Sequence, residues 1–134
     1  MRLTHALALM LSAASASLAQ DVGQGRAYYV QFCAACHGPD ARGDGPMSPV
    51  LSILPPDLTG LSARNDGVFP VSDVVLKIDG RDMLLAHGGP MPLFGEVFTG
   101  TGASMASETG QPIVTSFAIV DLVTYLARIQ EDAS

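Results

Sequence analysis

The sequence predicts an all-α domain of three to five short helices joined by long irregular loops, and three observations predict it. Residues at helical spacing recur near both ends: Gly25, Tyr29, Phe32, Cys33 and Cys36 at one, Ile119, Leu122, Val123, Leu126 and Ile129 at the other. Between them glycine and proline are too frequent for regular structure, in Gly38-Pro39, Gly43-Asp44-Gly45-Pro46, Pro49 and Leu54-Pro55-Pro56-Asp57. Strand signals are weak throughout, and there is no internal repeat.

Residues 1–19 read as a secretion signal. Arg2 supplies the positive start, residues 6–11 are apolar, and Ser17-Leu18-Ala19 is a small-residue cleavage site before Gln20. The apolar run is short and serine-rich for a membrane span, so no stable insertion is expected after cleavage; an uncleaved anchor is the alternative. Residues 20–134 then form one domain. Loss of Arg2 makes the mature chain one unit more acidic than the −6 of the whole sequence. That balance argues against nucleic acid and anionic lipid, and favours partners with basic docking patches; an acidic surface that only aids solubility is the plainer reading.

Asp21 is placed to cap the first helix, with Gln24 three residues on as its capping-box partner. Gly25 within that helix costs about 1 kcal/mol against alanine, which a second helix crossing closely would explain. The loop after residue 37 is long enough to be functional. Residues 58–60 and 61–65 suggest a short turn of helix, and Ser72-Asp73 a cap for a helix carrying Val74, Val75 and Ile78, stopped at Asp79-Gly80. Residues 99–112, rich in Gly, Ser and Thr, read as a mobile surface loop. Thr115 or Ser116 then starts the last helix, whose buried stripe has Tyr125 on its edge.

The first helix ends on Cys33-Ala34-Ala35-Cys36-His37, which holds both cysteines of the sequence. C-x-x-C-H is the pattern of covalent haem attachment. Thiols three residues apart on a helix face one side and reach both vinyl groups of one porphyrin, and the next residue directs its imidazole at the iron. A thioredoxin-like dithiol would instead open a helix after a strand, and none precedes this motif. A structural zinc site wants four ligands, and Cys36 and His37 are adjacent. A disulfide would leave His37 unexplained. Both cysteines are consumed as thioethers, and because such haem is attached outside the cytoplasm, motif and secretion signal support each other. A carbonyl in the proline-rich loop, near Pro46 or Pro49, is expected to accept the free ring N–H of His37.

A second segment, Gly88-Gly89-Pro90-Met91-Pro92-Leu93-Phe94-Gly95, cannot be helical. A methionine held there suits presentation of a thioether to a metal better than core filling. Met47, Met83, Met105 and His87 are the other possibilities.

These residues resemble the class I c-type cytochromes over essentially all of the mature chain, and most closely the small monohaem periplasmic members of bacteria. Three features carry the resemblance: Cys33-x-x-Cys36-His37 with Gly25 and Tyr29 eight and four residues before it, the Met91-Pro92 segment, and a last helix with Leu122 and Tyr125 three apart. The resemblance implies a cytochrome c fold, with the terminal helices crossing at Gly25 and loops wrapped around one haem c. It implies thioether bonds from Cys33 and Cys36, axial ligation by His37 and Met91, and no catalytic residue, with His87 second to Met91. The chain has no tryptophan for a haem propionate, a role that would fall to Thr59, Arg64, Asn65 or Arg81. It also lacks the basic ring of the mitochondrial members.

Two axial ligands leave no open position, which describes a carrier and not a catalyst. The expected function is a monomeric periplasmic one-electron carrier between a donor dehydrogenase or quinol-oxidising complex and a terminal oxidase or reductase. Alternatives are a cytochrome subunit fixed to one periplasmic dehydrogenase, a haem enzyme or gas sensor with a labile sixth ligand, and, remotely, a haem-free dithiol protein.

Overall fold

A computed structural model describes residues 20–80, 91–100 and 102–131. The secretion signal, Arg81, Met83 and His87 lie outside the described residues. The elements run α1 (Val22–Phe32), α2 (Ala34–His37), α3 (Val71–Asp79), β1 (Ala103–Ala106), β2 (Pro112–Thr115) and α4 (Phe117–Arg128), with 3₁₀ turns at Ser48–Val50 and Ala63–Asn65.

The frame is the crossing of α1 and α4, the most extensive interface between elements. Its geometry explains Gly25. A Cβ there would lie 2.6 Å from the Asp121 carbonyl carbon and 2.9 Å from the Tyr125 Cβ, so only glycine lets the backbones meet. Asp21 caps α1 by accepting from the Gln24 N–H at 3.0 Å. The expected reciprocal bond from the Gln24 side chain is replaced by a tertiary one. The Asp21 N–H donates instead to Asp121 Oδ1 of α4, at 2.8 Å, so the cap also fastens the crossing.

In α4, Ser116 accepts from the Ile119 N–H, and Ile119, Leu122, Val123 and Leu126 are buried as the stripe requires. Tyr125 is buried too, its ring 5.4 Å from that of Tyr29 on α1. Helix α3 begins one residue before Ser72, with Pro70 at the cap position, and ends on Gly80 in the left-handed conformation. Ser72 is no cap because the acceptor comes from elsewhere in the chain: Glu108 Oε2 takes both the Ser72 N–H and its hydroxyl, each at 3.0 Å.

The loop expected over residues 99–112 is in large part a β-hairpin. Strands β1 and β2 pair antiparallel, Ala103 with Thr115 and Met105 with Ile113, and the turn closes through Ser107 N–H to the Gln111 carbonyl at 2.7 Å. Met105 and Ile113 face the core while Ser104 and Val114 face out. That alternation spans only four residues a strand, too few to stand out from the glycines, serines and threonines around it. The remaining architecture is mainly helical, with the connection from α2 to α3 irregular as expected.

A candidate haem site

The α1 helix breaks at Cys33 and restarts for one turn. The Cys33 carbonyl accepts from the Cys36 and His37 N–H groups, at 3.1 and 2.9 Å, so Cys33, Cys36 and His37 share that turn. The following loop then closes on α2. The N–H of Gly43 donates to the His37 carbonyl (2.8 Å), that of Gly45 to the Cys36 carbonyl (3.2 Å) and that of Met47 to the Ala35 carbonyl (2.9 Å). The Ser48 hydroxyl reaches the Cys36 and Gly43 carbonyls, and the buried Tyr29 hydroxyl donates to the Gly38 carbonyl at 2.6 Å. Each carbonyl orphaned at the end of this short helix therefore meets a donor.

The His37 ring is buried, with Nδ1 3.3 Å from the carbonyl oxygen of Pro56. A carbonyl can only accept, so Nδ1 carries the proton and Nε2 keeps its lone pair. This is the bond from the imidazole N–H expected near Pro46 or Pro49, made instead to Pro56. The Pro55-Pro56 pair carried the signal: neither proline has an N–H to recruit a local partner, and Pro56 lies where the loop returns to α2. Burial lowers the His37 pKa, and the bond to Pro56 partly opposes it. Burial and then the neighbouring Cys36 push the Cys33 thiol up to about 11, so it is protonated at neutral pH.

Both cysteines and His37 open into one cavity of about 420 Å³. Tyr29 and Phe32 of α1, Leu122 and Leu126 of α4, and Val74 and Ile78 of α3 give it apolar walls. Leu51, Ile53, Leu54, Pro55, Pro56, Leu58 and Leu61 line it from the long loop, and Met91, Pro92 and Phe94 complete it. Met91 is partly buried and packs against the core, and the Phe94 N–H holds this segment to the Ile78 carbonyl at 2.9 Å.

Among the described residues lining the cavity, Met91 is the one thioether and His37 the one imidazole. Met47 is half exposed and outside the lining; Met105 belongs to β1. Thr59, Arg64 and Asn65, expected near a propionate, do not line the cavity. Thr59 bonds the Asp57 carboxylate, Arg64 the Asp57 carbonyl and Asn65 the Val68 carbonyl. Among the described residues the cation on the lining is Lys77, not expected there from the sequence, with Asp73 one turn before it. Positions 73, 74, 77 and 78 share one face of α3, and Lys77 is the single lysine of the sequence.

A thiol pair three residues apart, a deprotonated imidazole nitrogen, a thioether and a largely apolar wall suit a flat, mostly apolar iron porphyrin. The family model for cytochrome c matches residues 22–130. The chain belongs to the cytochrome c family. Neither a curated protein nor a solved structure matches it. Cytochromes c are haem-binding electron carriers that hold haem c covalently, and Cys33 and Cys36 of this cytochrome stand in the attachment motif with His37 after them. The crossing at Gly25 and the cavity against α1, α3 and α4 are consistent with the fold of that family.

Proposed function

We propose that this cytochrome is a periplasmic one-electron carrier with His37 and Met91 as axial ligands, shuttling between a donor dehydrogenase or quinol-oxidising complex and a terminal oxidase or reductase. One observation supports the reading most: an apolar cavity takes in both cysteines, a histidine whose Nδ1 is turned to a carbonyl, and Met91, the one thioether among the described residues that line it. The haem supplies reversible one-electron chemistry when bound. The protein's contribution is to anchor it through Cys33 and Cys36, fix the His37 tautomer through Pro56, and keep water from the iron with leucines, prolines and phenylalanines. A thioether ligand in such surroundings favours the ferrous state and raises the potential. Two strong ligands leave substrate no place on the metal.

The acidic composition favours redox partners whose docking surfaces are basic. Export through residues 1–19 and a monomeric state complete the proposal.

The test is the absorption spectrum of the haem-loaded protein with that of Met91→Ala. The parent should show the sulfur-to-iron band and resist carbon monoxide at neutral pH when reduced. The variant should lose the band, keep its haem and bind the gas. A band surviving in Met91→Ala moves the sixth ligand to another residue.

A further inference from the structure

The carbonyl that orients His37 belongs to a segment with few means of holding itself. Pro55 and Pro56 have no N–H, so neither anchors the chain by donating. Gly43 packs directly against Pro55, at a backbone φ of +82° that glycine adopts without strain. Besides the Leu58 N–H bond to the Ala41 carbonyl, the other anchors come from the residues after α4. Past α4, the Gln130 side-chain amide enters the backbone just downstream of Pro56. Its Nε2 donates to the Leu58 carbonyl and to the Leu126 carbonyl, both at 2.8 Å, and its Oε1 accepts from the Ser62 N–H at 2.9 Å. The Glu131 N–H donates to the Thr59 carbonyl at 2.9 Å. The Arg42 guanidinium binds the Glu131 carboxylate and lies 3.9 Å from that of Asp57. The Leu58 N–H donates to the Ala41 carbonyl at 2.7 Å.

An amide engaged at both ends has one orientation, and Gln130 fixes residues 58 and 62 to the last turn of α4 with it. The bond from His37 to Pro56 is already at the long end of the range, 3.3 Å, where a small displacement weakens it steeply. We infer that the C-terminal tail, through Gln130 first and Glu131 second, positions the Pro56 carbonyl against the His37 imidazole and so tunes the bound iron. Gln130 and Glu131 are positioning residues, acting through Pro56. The inference rests on the haem reading above.

The direction follows from the hydrogen bond. An imidazole that donates from Nδ1 has more anionic character and gives more electron density to ferric iron; slackening that bond favours ferrous iron and raises the potential. In the haem-loaded protein, Gln130→Leu should raise the ferrous-to-ferric ratio at a fixed applied potential about threefold to tenfold. The His37 Nδ1 proton resonance of the ferrous form should move upfield with it. Glu131→Gln, which keeps the tail's backbone bond and weakens only the link to Arg42, should move both readouts the same way by less.

A Gln130→Leu protein of lower unfolding midpoint, with the parent's potential and resonance, would overturn the inference and leave the tail a purely structural element. Should Gln130→Leu fail to fold, an unmoved potential in Glu131→Gln overturns it equally. A parent with no haem, or with no histidine on the iron, removes the underlying reading and this inference together. A normal parent spectrum with insensitive tail variants removes this inference alone.

Discussion

The two walls that carry the proposed ligands are built differently. Around His37 the chain is held by hydrogen bonds: loop N–H groups close on the carbonyls of α2, the Ser48 hydroxyl links the Cys36 carbonyl to that of Gly43 in the loop, and the Pro56 carbonyl accepts from the ring N–H. Around Met91 the described residues show mainly apolar packing. The Phe94 N–H bonds the Ile78 carbonyl of α3, and an aromatic cluster packs alongside. There the ring of Phe98 sits 5.1 Å from Phe32, 5.5 Å from Tyr28 and 5.9 Å from Phe94. Hydrogen bonds are directional, whereas apolar contacts tolerate sliding. Among the described residues the imidazole wall is therefore the more directionally held, and on the proposed ligation loss or exchange of a ligand is expected first at the methionine.

The largest effect expected from this contrast is at His37. His37→Ala removes the group on which the fixed wall converges, and no stably folded haem protein should mature, since haem binding supplies much of the folding free energy of so small a domain. A haem stain after denaturing electrophoresis, set beside circular dichroism of the same fraction, checks it; a folded, colourless His37→Ala protein contradicts it.

Phe98→Ala comes next. Phe98 is buried, and truncating such a ring costs about 3–5 kcal/mol. Denaturant unfolding should report that loss. Carbon monoxide should also compete with Met91 more readily while the His37 Nδ1 resonance stays in place. Equal disturbance of both ligands would erase the distinction between the walls.

Ser48→Ala tests the opposite wall at smaller scale. It deletes one hydroxyl that serves two carbonyls in a buried position, for a loss of about 1–2 kcal/mol. Here the methionine band should stay unchanged.

The smallest effect is one of pH. The Thr59 hydroxyl and N–H, bonded to Asp57 next to Pro56, hold its carboxyl below the usual range, with Arg42 adding to them. A depressed carboxyl contributes stability that is full above its unfolded pKa, about 3.9, and is lost as pH falls through the folded value. Asp57 is partly exposed, so the loss is modest. Melting temperature followed from about pH 6 to about pH 3 should fall less steeply in Asp57→Asn than in the parent. Identical slopes would take Asp57 out of the acid response.

What was legible in the sequence follows the range of each interaction. The attachment motif, the glycine at the crossing, the Asp21 cap and the stripe of α4 are local patterns, and the structure has each of them. Cys33, Cys36, His37 and Met91 do line one cavity, because their spacing or their rigid setting is itself a sequence property. The misses are tertiary. The Asp21 N–H bonds Asp121 rather than the Gln24 side chain, and Ser72 answers to Glu108, each a partner distant in the chain that no local pattern encodes. The carbonyl opposite His37 is that of Pro56, a matter of how a loop folds back. The hairpin is not legible because four-residue strands among small polar residues carry almost no periodicity. Lys77 is not legible because the apolar pattern of α3 marks only Val74, Val75 and Ile78, while the cavity also takes their polar neighbours on the same face.

The pairing of α1 with α4 bears on the order in which the molecule is made. The partner that α1 needs at Gly25 lies far along the chain, with Asp21 and Asp121 of this crossing 100 residues apart, so α1 waits for α4 to be made before it can dock. Contacts this far apart in sequence are slow to form. The crossing is thus a late step in assembly. That delay leaves both thiols of the Cys33–Cys36 turn exposed to modification before the walls close over them.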